Sequence, residues 1–132
     1  MTNFSKILLI SALLSCSAIA SALPVLQGKM VLKSEDEPEI TSMLSDGKPI
    51  QYRAIQLSQP KSFNLYDEVN DRNRVYSNQE YIQLVDQSQT QNIKKIPLMS
   101  NIKVTCDELY TQHSIHHFTE VLCMVKHTEV LK

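Results

Sequence analysis

The chain has 132 residues, with 13 Lys and Arg against 14 Asp and Glu, a net charge of −1 with histidines neutral, and only two glycines, Gly28 and Gly47. No clustered basic footprint of the kind nucleic acid requires stands out, and two isolated glycines cannot build a glycine-rich phosphate loop. The length suits one domain with a modest core.

The chain opens "MTNFSKILLISALLSCSAIASALP". One lysine, Lys6, precedes the apolar run Ile7 to Leu14, small residues follow, and Ala20-Ser21-Ala22 has the form of a cleavage site. This pattern predicts a secretory signal peptide over residues 1–22 and an exported, periplasmic protein, because the apolar run is too short to span a bilayer. Leu13-Leu14-Ser15-Cys16 supports a second reading, a lipoprotein box in which Cys16 is lipidated and the protein is anchored to a membrane. Either reading leaves Cys106 and Cys123 as the cysteines able to pair. Residues 23–132 lose only Lys6 among the charged residues, so they stay slightly acidic and read as a single domain.

Residues 25–33, "VLQGKMVLK", read as a first strand. The acidic stretch that follows is turn-rich and ends in an Asp46-Gly47 turn signal. "IQYRAIQL", 50–57, reads as a second strand; Ile50, Tyr52 and Ala54 share one parity while Ile55 and Leu57 take the other. That slip predicts a β-bulge near Ala54 that bends the strand. Residues 58–79 are polar and read as a long loop, and "EYIQLVD", 80–86, as a third strand. "QSQTQNIKKIPLM" reads as a short helix stopped by Pro97. "NIKVTCDEL", 101–109, is a fourth strand, and a fifth runs from about Phe118 to Leu131. The expected fold is mainly β with one short helix in the order β-β-β-α-β-β, which is that of a small five-stranded OB-like barrel. A split α+β sheet is the alternative.

A hairpin turning at 114–115 places Cys106 opposite Cys123 and Val104 opposite Val125. Ile102, Val104, Cys106, Val121, Cys123 and Val125 then share one face. In an oxidising compartment the two cysteines are expected to join; two buried free thiols are the other reading.

"QHSIHHFTEVLC" puts His113, His116 and His117 at the tip of that hairpin. His113 and His117 share parity and converge if the tip curls, with Glu120 or Asp107 near enough to add a carboxylate. Imidazole suits zinc or another transition metal. The spacing matches no established metal motif, so an ordinary polar hairpin rim competes with a metal site. Histidines also titrate near neutral pH, which makes a pH-sensitive contact an expectation here. His127 reads as structural. No serine carries a nucleophile context and no carboxylate pair is placed by a motif, so a hydrolase ranks last.

The C-terminal segment "IKVTC…ELYTQHSIHHFTEVLCMV" resembles the end of the bacterial domain-of-unknown-function family 4431. Val104-Thr105, Leu109-Tyr110, His113, His116-His117, Thr119 and Val121-Leu122 follow the family's order, and "YRAIQL" and "EYIQLV" resemble its two middle strands. Cys106 stands where the family tends to have glycine, one residue is inserted around Asp107 or Glu108, and Phe118 replaces what is often a third histidine. The resemblance implies a small exported domain and no established activity. The expected function is a non-enzymatic exported binding or interaction protein with no catalytic residues and no obligatory cofactor. Its partner is an exported protein or a glycan, with no nucleic acid. An inhibitor or immunity protein against a cell-wall or toxin enzyme is one alternative, and metal binding through His113, His116 and His117 is another.

Overall fold

The computed structural model describes residues 22–132. The signal-peptide and lipobox segment, Cys16 included, lies outside the described residues. The elements are β1 (Val25–Glu35), α1 (Pro38–Leu44), β2 (Ile50–Asp67), β3 (Arg72–Val85), a 3₁₀ turn (Ile93–Lys95), β4 (Asn101–Thr111) and β5 (Val121–Val130). The strands close into a barrel in the order β1-β2-β3-β5-β4. All pairings are antiparallel except β3 with β5. This is the five-stranded OB order; closure removes the edges of the barrel itself, while β2 beyond Leu57 and β3 before Gln83 pair only with each other.

Closure depends on β1, which pairs with β2 on one side and β4 on the other, Gly28 facing both Leu57 and Ile102. A Cβ at Gly28 would sit 1.9 Å from the carbonyl oxygen of Gln56, so only glycine lets β2 cross this close. Inside, Leu26, Met30, Ile55, Ile82, Ile102, Val104, Val121 and the two cysteines form a core with almost no exposed surface. The predicted inward set on β4 and β5 is buried as a block.

Several expectations need correction. The short helix expected before Pro97 is only the turn Ile93–Lys95, and the one α-helix among the described residues forms in the acidic stretch, started by Pro38. Proline at the first turn suits a helix because its missing N–H has no intrahelical partner there. The loop expected over 58–79 is instead a hairpin: β2 continues to Asp67 and β3 starts at Arg72. Its polar residues alternate over a ribbon with one covered face. Phe63, Leu65 and Tyr76 turn toward the core, while Tyr66 and Val75 face out.

The bulge expected near Ala54 lies further on, between Gln56 and Lys61. Ala54 and Ile55 are both buried because both sides of the strand are covered. Ile55 faces the core; Ala54, Gln83 and Leu122 stand in register as a second buried row on the outer side.

The β4–β5 register also differs. Cys106 pairs with Val125 and Cys123 with Leu109, and Val104 faces Thr128. The connection spans residues 112–120 and centres on His116, which moves the strands past one another. β5 begins at Val121, not near Phe118. Lys126 and Asp107 are each skipped in the pairing, and these two exposed side chains approach to 3.8 Å. Cys106 and Cys123 nevertheless form a disulfide, reached diagonally with Cα atoms 5.5 Å apart.

Candidate functional site

The 112–120 connection is folded by its own polar groups. Gln112 N–H donates to the Glu120 carbonyl (3.1 Å), His117 N–H to the Ser114 carbonyl (3.0 Å) and Gln112 Nε2 to the His117 carbonyl (2.8 Å). His113 N–H donates to His117 Nδ1 (3.1 Å), and His113 Nδ1 bonds the Thr111 carbonyl (2.8 Å). These bonds curl the tip and bring the His113 and His117 rings edge to face, with centroids 4.6 Å apart and the Tyr110 ring beside both.

Gln83 fixes this curl to the barrel. Its Nε2 donates to the His116 carbonyl (3.1 Å), its Oε1 accepts from Phe118 N–H (2.7 Å), and its backbone N–H donates to Thr119 Oγ1 (2.9 Å). Buried amides need hydrogen-bond partners, and both the nitrogen and the oxygen of the Gln83 amide have one. The Phe118 ring then packs on Tyr52 of β2, centroids 4.9 Å apart.

Pinning the connection in this way shapes a groove of about 480 Å³. β2 and β3 pair only from Ala54 and Gln83 onward, so the start of β2 and the end of β3 diverge. Gln51, Tyr52 and Arg53 form one wall, Gln83 to Asp86 the other, with Asn92 to Lys94 at one side and His116 and His117 at the other. Arg53 donates to the carbonyls of Lys94 (2.9 Å) and Ile96 (3.1 Å), tying the 92–96 segment against β2. Asp86 Oδ2 accepts from Gln91 N–H (3.1 Å), while its Oδ1 is enclosed with no hydrogen-bond partner.

The three histidines separate into two roles. His113 and His117 meet each other; His116 and His117 line the groove. Of the carboxylates expected beside them, Asp107 faces Lys126, and Glu120 accepts from Gln79 Nε2. Glu68, from the β2–β3 turn, is the one near His113, at 3.7 Å. Among the described residues no group of three or more His, Cys, Asp or Glu side chains stands at metal-holding geometry. His127 lies exposed on β5 opposite Thr105, not in the core. Burial first, then the charges of His113 and His116, holds the His117 imidazole below its ordinary range, and burial raises the Tyr52 and Tyr110 phenols, with Glu35 and Glu108 adding to it respectively.

The closed, OB-like barrel thus carries a groove on the strand 2–3 side, rimmed by the connection between strands 4 and 5. The model of a family described as a domain of unknown function (DUF4431) matches residues 81–130, so this segment is similar to that family. The match takes in Gln83, the disulfide, the histidine-rich connection and both C-terminal strands. No curated protein and no solved structure matches the chain. Gln51, Tyr52, Gln83 and Asn92 carried no motif in the sequence. The signal nearest to them was the likeness of "YRAIQL" and "EYIQLV" to the family's middle strands.

Proposed function

We propose that this is a small exported binding protein, without catalysis of its own, that holds an exported protein or a glycan in the groove between β2 and β3. The observation that carries this reading is the position of that groove. Barrels of this order bind extended ligands on the strand 2–3 face, flanked by the loops between strands 1 and 2 and strands 4 and 5. Export is supported by the pattern of residues 1–22 and by a disulfide that suits an oxidising compartment. An inhibitor or immunity protein is the special case in which the partner is an enzyme. The test compares wild-type protein, recovered gently after export, with a Gln51→Arg, His116→Arg variant by native mass spectrometry. These exposed positions flank the groove, so the variant is expected to fold alike and lose its co-purifying protein or sugar. Equal retention by both, or no ligand on the wild type from any compartment tested, would overturn the reading.

Metal binding is a second reading, favoured by the His113–His117 contact with Glu68 close by. Zinc titration of wild type and His117→Ala decides it: uptake lost in the variant supports the site, and uptake that is absent or unchanged removes it.

A further inference from the structure

We infer that the groove takes a neutral, hydroxyl-rich ligand, a short oligosaccharide, an inference that rests on the binding reading above and names its ligand class. Three exposed amides, Gln51, Gln89 and Asn92, line the groove and have no side-chain hydrogen-bond partner among the described residues. An amide end offers two donors beside one acceptor, which matches neighbouring hydroxyls that both give and take hydrogen bonds. Tyr52 adds an aromatic ring, half-buried and steadied by Phe118, against which the C–H face of a sugar can lie.

The charged groups narrow the class. Arg53 spends its two terminal nitrogens on the carbonyls of Lys94 and Ile96, while Lys94 lines the groove with no ion-pair partner among the described residues. A cationic ligand would face Lys94 and Arg53 together. An anion would meet Asp86 as well as those cations, so the mixed lining favours neither sign of charge, and Asp86 Oδ1 lacks a donor. A buried carboxylate oxygen without a partner costs free energy that an incoming donor recovers. A hydroxyl is the neutral donor that fits, once the Asp86 carboxylate turns toward the groove. An added peptide strand fits less well, because the 92–96 segment is tied across the diverging start of β2. The volume, about 480 Å³, is in the range of small-ligand sites.

The test is an amide-resolved NMR titration of the exported protein with chitotriose, cellotriose and maltotriose. A cationic chitosan trimer and a trigalacturonate are the charged comparisons. At least one neutral trimer should bind saturably, with shifts gathered at 51–54, 83–93 and 116–118, and bind at least tenfold tighter than either charged one. Gln51→Ala combined with Asn92→Asp should weaken it at least tenfold; aspartate keeps the left-handed backbone that Asn92 adopts at φ 48°. Asp86→Asn is the second variant and should also weaken binding. No shift up to about 10 mM of every neutral trimer, tenfold above a weak millimolar Kd, would overturn the inference. So would tighter binding of a charged trimer. If no sugar binds while a protein is held through Gln51 and His116, the ligand class fails and the binding reading stands; if nothing binds, both fail.

Discussion

The β4–β5 hairpin and the outer half of the β2–β3 hairpin are both antiparallel strand pairs and could hardly be held more differently. β4 and β5 bury Ile102, Val104, Cys106, Val121, Leu122, Cys123 and Val125, and a disulfide crosses between them. The β2–β3 ribbon from Lys61 to Gln79 buries one face only, through Phe63, Leu65 and Tyr76, and leaves Val69, Tyr66 and Val75 at least half exposed. Its turn is held by a carboxylate. Asp67 accepts from Val69 N–H (3.0 Å), Asn70 N–H (3.2 Å) and Asn70 Nδ2 (2.7 Å). The comparison separates a region stabilised by apolar burial and a covalent tie from one stabilised by local polar contacts. The first should unfold with the whole molecule; the second should open by itself.

The largest expected effect comes from removing the tie. Cys106→Ala with Cys123→Ala opens a loop with a sequence separation of 17, and such a closure is worth about 3 kcal/mol. Urea unfolding followed by circular dichroism should show that loss as one cooperative transition. A loss confined to residues 101–130, with the rest of the barrel intact, would break the claim that this hairpin unfolds with the core. Next is Gln83→Ala, which leaves the His116 carbonyl and the Phe118 N–H without their partner. Two hydrogen bonds of about 1 kcal/mol each put the cost near 2 kcal/mol. Faster amide exchange at 112–120 with an unchanged ribbon checks it; no change there would mean the connection holds itself.

Asp67→Ala should act more locally. Exchange should rise at Val69, Asn70 and along the ribbon while the core amides keep their protection. The same turn predicts a pH effect. The side-chain bond from Asn70, then the backbone N–H groups and Arg74, outweigh burial and hold the Asp67 carboxyl below its ordinary range. Its contribution is therefore complete above the unfolded carboxylate value, near 4, and is lost as the pH falls below it. Exchange in the ribbon that is insensitive to acid in the wild type would contradict this account.

The two regions also differ in how far the sequence discloses them. Strict alternation through Ile102, Val104 and Cys106 marks a half-buried strand, and a cysteine on each strand marks their nearness. Neither sets the register, because the skipped Lys126 and Asp107 look like ordinary strand positions. The ribbon reads as a loop because its covered face is carried by three apolar residues spread among amides and charges. In β2 the parity slip is real, but its cause is a strand covered on both sides, which only the placement of Gln83 and Leu122 reveals. For the site, histidine clustering pointed at the connection that lines one part of the groove. The groove itself depends on where β2 and β3 part, and no local pattern in Gln51 to Arg53 announces that.

The smallest expected effect tests whether the 112–120 connection belongs with the rigid half or the yielding one. His117 Nδ1 accepts the His113 N–H, so it must be unprotonated for that bond to exist. Protonation would set a donor against a donor and place a charge beside the His113 and His116 rings. Glu68 lies against His113 on the side of the β2–β3 turn, and Tyr110 packs from β4. The folded state holds His117 below the ordinary histidine value of 6.5, so the unfolded chain takes up a proton first on acidification. The contribution of this contact is then complete above about pH 6.5 and falls away below it, down through the folded value. Imidazole NMR titration should place His117 below 6.5, and amide exchange at 113–117, relative to the intrinsic rate at each pH, should rise as the pH falls below about 6.5 while the Cys106–Cys123 region stays protected. His117→Gln should flatten that rise. A His117 that titrates at or above the ordinary value, or exchange that rises equally in the variant, would mean the curl is held by Gln83 and Gln112 alone, and the connection would then belong with the rigid half.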